Sequence, residues 1–248
     1  MTRGFAFMLA LLAVPCSAGA QSGNQPAGEH PGRAALRGIN ANPTALIAAE
    51  IALGKLAGEK GESFALLATA APGARLMRPE PVDAAQWLKR NQQRGPATRW
   101  DGQAVWMSCD GTIGVVKGKW SNEGQAGRFA TVWQRQAKGD YKWLLRLDEP
   151  GTSNAPSLDD MLSAVVADCP ARPARAHAPE EPRGKPRGKR APVPIPQVDA
   201  LSGRSPDGSL HWRSGSDTSG VTRLLVQLAK GGAMTTVLGA ELEEAPKG

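Results

Sequence analysis

The sequence predicts an α+β fold, and three observations carry that expectation. Helical periodicity with capping signals fills residues 42–91 and returns only in one closing segment after residue 156; strand-like runs take over after Gly95-Pro96; and short Gly- or Asp-containing turns separate those runs, so neighbouring strands are antiparallel.

A first helix is expected over PTALIAAEIALGKLA, capped by Asn42 or Thr44 with Pro43 at an early position and stopped by Gly58 and Gly61. GESFALLATAA gives a second short helix, ended by Pro72-Gly73, and ARLMRP a short strand. Asp83 caps a third helix over AAQWLKRN. QAVWMSC and TIGVVKGKW are joined by Asp110-Gly111, a two-residue hairpin signal. SNEGQAG turns into RFATVWQRQ, and AKGD turns into YKWLLRLD. SLDDMLSAVVADC is expected to form a closing helix capped at Ser157 that carries Cys169 back to the sheet.

Composition divides the chain into segments. Arg3, the apolar run FAFMLALLAV and the small residues Ala18-Gly19-Ala20 read as a cleaved signal peptide over 1–20, too short to span a bilayer. Its loss removes one cation and lowers the net charge from +7 to +6. Residues 21–41 form a Gly/Pro/Ala-rich lead-in and 42–169 the main domain. Residues 170–196, with eight prolines and seven Lys or Arg, are a linker that reaches roughly 80 Å if extended. The tail, 197–248, has three strand-like runs: SLHWR, VTRLLVQLA and AMTTVLG. It is either a small β module or an extra sheet leaning on the main domain, and no repeat between the two halves is evident.

Export places the mature chain in the periplasm, where Cys109 and Cys169 are expected to pair and close a loop of about sixty residues. Neither cysteine has a histidine near it in sequence, so neither is read as a nucleophile. No metal motif and no complete phosphate loop is present, and no cofactor is expected. The basic run RGKPRGKR, 183–190, suits an anionic envelope surface, because an exported chain does not meet nucleic acid.

GRFATVWQRQAKGDYKWLLRLD resembles the final hairpin of the nuclear transport factor 2-like superfamily, which includes ketosteroid isomerases and scytalone dehydratase. NPTALIAAEIAL and PEPVDAAQWLKRN are similar to its first helix and its strand-to-helix corner. The resemblance covers about 42–150 and implies a cone: helices on a curved antiparallel meander, here followed by the Pro/basic linker and β tail. It also implies a homodimer through the open sheet face. Many relatives place histidine and acid on the closing strand, where this chain has Leu145, Leu147 and Arg146. All three histidines, His30, His177 and His211, lie outside the resembling segment, which removes histidine-dependent dehydration from the expectation.

Alternation puts Tyr141, Trp143, Leu145 and Leu147 on one strand face, and Phe129, Thr131, Trp133 and Arg135 on one face of the strand before. Six of the seven tryptophans fall in the main domain. Trp87, Trp106, Met107, Trp133, Trp143 and Leu145 are therefore the candidate lining of a pocket for a small apolar ligand, the alternative being plain core. The carboxylates that could serve as an acid or base are Glu50, mid-helix on an apolar segment, and Asp148 at the strand end. The expected function is an exported, non-catalytic binding or interaction protein. One alternative is a small isomerase- or dehydratase-type enzyme using one carboxylate; another is an envelope interaction protein acting through linker and tail.

Overall fold

In a computed structural model of the chain, Asn42 Oδ1 accepts from the Ala45 N–H at 3.1 Å and opens α1, Pro43–Lys60. The structure describes residues 41–78, 80–92, 98–151, 162–169, 199–216 and 222–239. The expected signal peptide, most of the expected lead-in and the expected basic linker lie outside them.

Gly61, at φ 92°, ends α1 and leads directly into α2, Glu62–Thr69. There follow β1 (Ala70–Arg78), β2 (Glu80–Asp83) and α3 (Ala84–Arg90), the last capped by Asp83 Oδ1 accepting from Gln86 N–H at 2.9 Å. The meander is β3 (Arg99–Met107), β4 (Ile113–Asn122), β5 (Gln125–Arg135) and β6 (Tyr141–Gly151). β4 and β5 are longer than the sequence suggests, because only Glu123 and Gly124, both at positive φ, form the turn between them. Conversely, Asp110-Gly111 is not a two-residue hairpin but the middle of a longer loop between Met107 and Ile113.

Strand order in the seven-stranded sheet is β2-β1-β6-β5-β4-β3-β7. β1 joins β6 in parallel, and β7 (Ser163–Val166) joins β3 in parallel. The expected closing helix is thus corrected over its described part: Ser163-Ala-Val-Val is a strand. Its β-branched residues complete the open edge of β3, and the ladder continues as Ala167 N–H donates to Met107 O at 2.8 Å.

The three helices cover one face of this sheet. Leu46, Leu53, Leu66 and Leu88 pack there against Val105, Met107, Val116, Phe129, Trp133 and Trp143. A second sheet covers the other face: β8 (Ser202–Arg204), β9 (Leu210–Ser216), β10 (Thr222–Lys230) and β11 (Ala233–Leu238), in the order β11-β10-β9-β8. Leu210, Trp212, Leu224, Val226 and Leu228 pack onto Ile113, Val115, Val132, Leu145 and Leu147. Of the two expectations for the tail, an extra sheet on the main domain is the one found. The open face that the resemblance assigns to a dimer is filled by this chain's own C-terminal strands.

At three points in these ladders a glycine lies against the ring of its cross-strand partner: Gly118 against Phe129, Gly127 against Trp120, and Gly203 against Trp212. A Cβ on any of the three would overlap the ring, so each ring lies against bare backbone.

Two matching loops hold the sheets together. Ser108-Cys-Asp-Gly-Thr112 links β3 to β4, and Ser205-Pro-Asp-Gly-Ser209 links β8 to β9. In each, the leading serine N–H donates to the carbonyl five residues on, and the glycine has φ near 70°. In each, too, the aspartate Oδ1 accepts from the leading serine hydroxyl and from the N–H and hydroxyl of the loop's last residue. The Asp110 and Asp207 loops thus share a local pattern, S-x-D-G-(S/T), that a search for long repeats passes over.

Cys109 and Cys169 lie at disulfide distance beside this clasp, with Cα atoms 5.1 Å apart. One residue earlier, Asp168 N–H donates to Ala229 O at 2.9 Å, and the Asp168 carboxylate accepts from Gly231 N–H and Lys230 Nζ.

Candidate functional site

The site begins at an irregularity in β6. Val132 is opposite Leu145 but Trp133 is opposite Trp143, so Leu144 is an extra residue that bulges from the ladder. Tyr141 and Trp143 face the helices, whereas Leu145 and Leu147 belong to the cluster under the second sheet. The expected single face is therefore split, because a one-residue bulge reverses the alternation beyond it. The same reversal turns Arg146 and Asp148 inward.

Arg146 is fully buried. Its guanidinium stacks between Trp100 and Phe129, 4.6 and 4.7 Å from their ring centroids. Nε donates to Asp148 Oδ1 at 3.0 Å, and Nη1 donates to Thr131 Oγ1 at 3.2 Å. The other Asp148 oxygen accepts from Arg78 Nη2 at 3.0 Å, and the Arg78 guanidinium lies 5.2 Å from the Trp87 ring. From the helix side, α1 brings Glu50 to within 3.6 Å of Arg146 Nη1, an ion-pair distance rather than a hydrogen bond. Glu50 Oε2 accepts from Trp133 Nε1 at 3.0 Å. Burial pushes the Glu50 carboxyl above its usual range, with Arg146 and then the Trp133 indole pulling it back.

The two carboxylates singled out in the sequence thus meet through one guanidinium. Arg146, the residue that joins them, was noted only as a departure from an acid, because the bulge that aims it inward leaves no local signal. Chemically the cluster is a closed ion-pair chain in which both Asp148 oxygens are taken up by guanidiniums.

A half-open cleft of about 850 Å³ adjoins this cluster, lined by Trp100, Trp120, Asn122, Arg78, Asp148, Glu62 and Leu147 among others. Trp100 and Trp120 are directly opposite across β3 and β4. Trp120 Nε1 and Asn122 Oδ1 are buried beneath its lining, without a hydrogen-bond partner among the described residues. Glu50 does not line the cleft, and neither do the six residues expected to line a pocket. Met107, Trp133 and Trp143 are fully buried under the helices, with the Trp143 indole donating to Leu66 O at 3.0 Å. Trp87 packs on the edge of that core, while Trp106 and Leu145 lie on the opposite side of the sheet. Of the aromatic residues that do line the cleft, Trp100 stands on the same strand as Trp106 but at its other end, and Trp120 lies opposite Trp100 near the end of β4.

Among the described residues, no three His, Cys, Asp or Glu side chains are placed to hold a metal, and no helix is long and apolar enough to cross a membrane.

No family model and no curated protein matches the chain. Over about half its length it is similar to several solved structures. A ketosteroid isomerase-like protein from Erwinia carotovora atroseptica is 12% identical, over 47% of this chain and 98% of that one, with a TM-score of 0.35. Nuclear transport factor 2 from Cryptosporidium parvum is 16% identical, over 46% and 99%, with a TM-score of 0.35. A protein of unknown function with a cystatin-like fold from Methylobium petroleophilum is 13% identical, over 48% and 84%, with a TM-score of 0.32. At this level the likeness concerns the shared part of the fold alone and says nothing of what this chain binds or does.

Proposed function

We propose that this is an exported, non-catalytic binding protein that holds a small apolar, planar molecule in the cleft beside Trp100 and Trp120. The observation that carries the reading is a contrast within one site. The cleft offers two indoles, while of the carboxylates that line it Asp148 is tied to two guanidiniums and Glu62 accepts from the Thr98 hydroxyl. That is a surface suited to holding a ring system rather than to moving a proton. Export is supported by the leader pattern in 1–20 and by the Cys109–Cys169 pair. The test is native mass spectrometry of protein taken from the periplasm, with fluorescence titration of N-phenyl-1-naphthylamine as a binding assay. A bound mass, or saturable binding weakened by Trp120→Ala, supports the reading; an empty protein that does not bind the probe overturns it.

The enzyme reading retains one observation in its favour, the buried Glu50 with its raised pKa. An isomerase-type role requires that carboxylate to meet a substrate, and Glu50 lies behind Arg146 and Trp133 rather than on the cleft. Following the Glu50 carboxyl by NMR tests this: unchanged titration in the presence of a cleft ligand removes the enzyme reading.

A further inference from the structure

One carboxylate of the cleft stands apart from the ion pairs behind it. Glu62, the first residue of α2, accepts from the Thr98 hydroxyl through Oε2, and Thr98 Oγ1 in turn accepts from Asn122 Nδ2 at 3.3 Å. Thr98 and Asn122 lie two residues from Trp100 and Trp120, which pair across β3 and β4, so alternation puts all four side chains on one face. Two residues along a strand span about 7 Å. Glu62 is thus fixed one such step from the indoles, in the same cleft.

The other charges of the described lining are already engaged or turned away. Arg78 donates to Asp148 and to the Met77 carbonyl, both Asp148 oxygens accept from guanidiniums, and Arg223 has a partner of its own. Glu149 stands on the opposite face of β6 from Asp148 and also lines a separate recess beside Leu224 and Leu238. Glu62 Oε1, by contrast, has no partner among the described residues. Nor do the indoles invite a charge directly onto their rings. The Arg146 guanidinium already lies 4.6 Å from the Trp100 centroid, and a second cation stacked there would meet it as a like charge.

We infer that the ligand of the cleft is a planar ring system carrying an ammonium-type cation on a short arm, its rings against Trp100 and Trp120 and its N–H donors directed to Glu62. This rests on the binding reading given above and adds a charged arm to the ring system. What selects the ligand is the position of that one carboxylate, not the net charge of the cleft. A neutral molecule with the same rings forgoes the charge-assisted hydrogen bond, and an anion meets Glu62 as a like charge.

Three naphthalenes separate the parts: 2-(1-naphthyl)ethylamine, a cation at neutral pH; 2-(1-naphthyl)ethanol, which is neutral; and 1-naphthaleneacetate, an anion. Titrated calorimetrically into the full mature chain, the amine is expected to bind about tenfold more tightly than the alcohol, with an advantage that shrinks in high salt. Glu62→Gln keeps an acceptor for Thr98 and removes the charge, and should bring amine and alcohol to within about twofold of each other. Glu149→Gln should keep the preference for the amine, and Trp120→Phe should weaken amine and alcohol together. Equal binding of amine and alcohol, a tighter acetate, or a preference abolished by Glu149→Gln instead of Glu62→Gln overturns the inference while the binding reading stands. If none of the three binds, the binding reading itself fails and takes the inference with it.

Discussion

The backbone N–H of Asp110 donates to the Asp207 carboxylate at 2.8 Å, and the N–H of Asp207 donates back to the Asp110 carboxylate at 3.3 Å. Two hairpin loops, 97 positions apart, thus cap one another across the two sheets. The exchange is not fully symmetric. Cys109 N–H donates to Ser209 Oγ at 2.8 Å, but the matching position in the other loop is Pro206, which has no N–H to return the bond.

Asp207→Ala removes acceptors from its own loop and from Asp110 at once. Leaving these groups unsatisfied is expected to cost about 1–3 kcal/mol, read as a lower urea midpoint with unchanged slope. Asp110→Ala should cost a similar amount, and the double variant clearly less than the sum, because the two share the cross-sheet bonds. Strict additivity would mean that the clasp carries no coupling.

Arg146→Met leaves Glu50 and Asp148 inside without their shared cation. The expected loss is about 3–5 kcal/mol, the usual result of breaking a buried pair from one side. Combining it with Glu50→Gln should recover part of that loss in equilibrium unfolding. If the double variant is no better than Arg146→Met alone, Glu50 is not what Arg146 neutralises.

Glu50 also predicts a pH dependence. Its folded pKa lies above the reference 4.5, so the folded state holds the proton more tightly than the unfolded chain. That contribution is complete below the unfolded value and is lost as pH rises through the folded one. Glu50→Gln keeps an acceptor for the Trp133 indole and does not titrate. The stability of the variant relative to wild type should therefore increase as pH is raised from about 4.5, measured by chemical denaturation across the range. A constant difference would place Glu50 in a more solvated setting than its burial implies.

The Cys109–Cys169 link closes a loop with a sequence separation of 60. In the chain-entropy model, reduction or Cys169→Ser should remove about 4 kcal/mol. Thermal unfolding with and without reductant reads the change, and two alkylatable thiols in unreduced protein would show that the bond does not form.

Two glycines should respond in opposite directions to alanine. Gly54 is mid-helix in α1 with nothing within 4 Å of an added Cβ, and Gly54→Ala should stabilise by up to about 1 kcal/mol. Gly118→Ala would drive a methyl into the Asp101 carbonyl and the Phe129 ring, and should cost roughly 1–3 kcal/mol or more. Denaturation midpoints moving the same way for both would refute the close-packing account of the aromatic–glycine pairs.

What could be read from the sequence is what local chemistry decides. Asn42 and Asp83 announce their helices because a capping side chain bonds three residues away, and the meander strands announce themselves through turn glycines. Ser163-Ala-Val-Val was misread because its strand state comes from β3, more than fifty positions earlier, and not from its own neighbours. The site was half legible. Glu50 and Asp148 stood out as carboxylates, but Leu144 gives no hint of the bulge that swings Arg146 between them. The cleft tryptophans were passed over for a similar reason: which indole faces open space depends on where the strands end and what covers them.

The second sheet has a consequence for the order in which this molecule can be made. Residues 202–238, which cover the outer face of the main sheet, follow that sheet in the chain. Until they emerge, Ile113, Val115, Val132, Leu145 and Leu147 have no apolar cover on that side. A chain released or cut before residue 202 would carry a finished first layer and a bare second face, the sort of surface that chaperones hold and proteases find. The clasp loops, one in each sheet, close only when that interval is over.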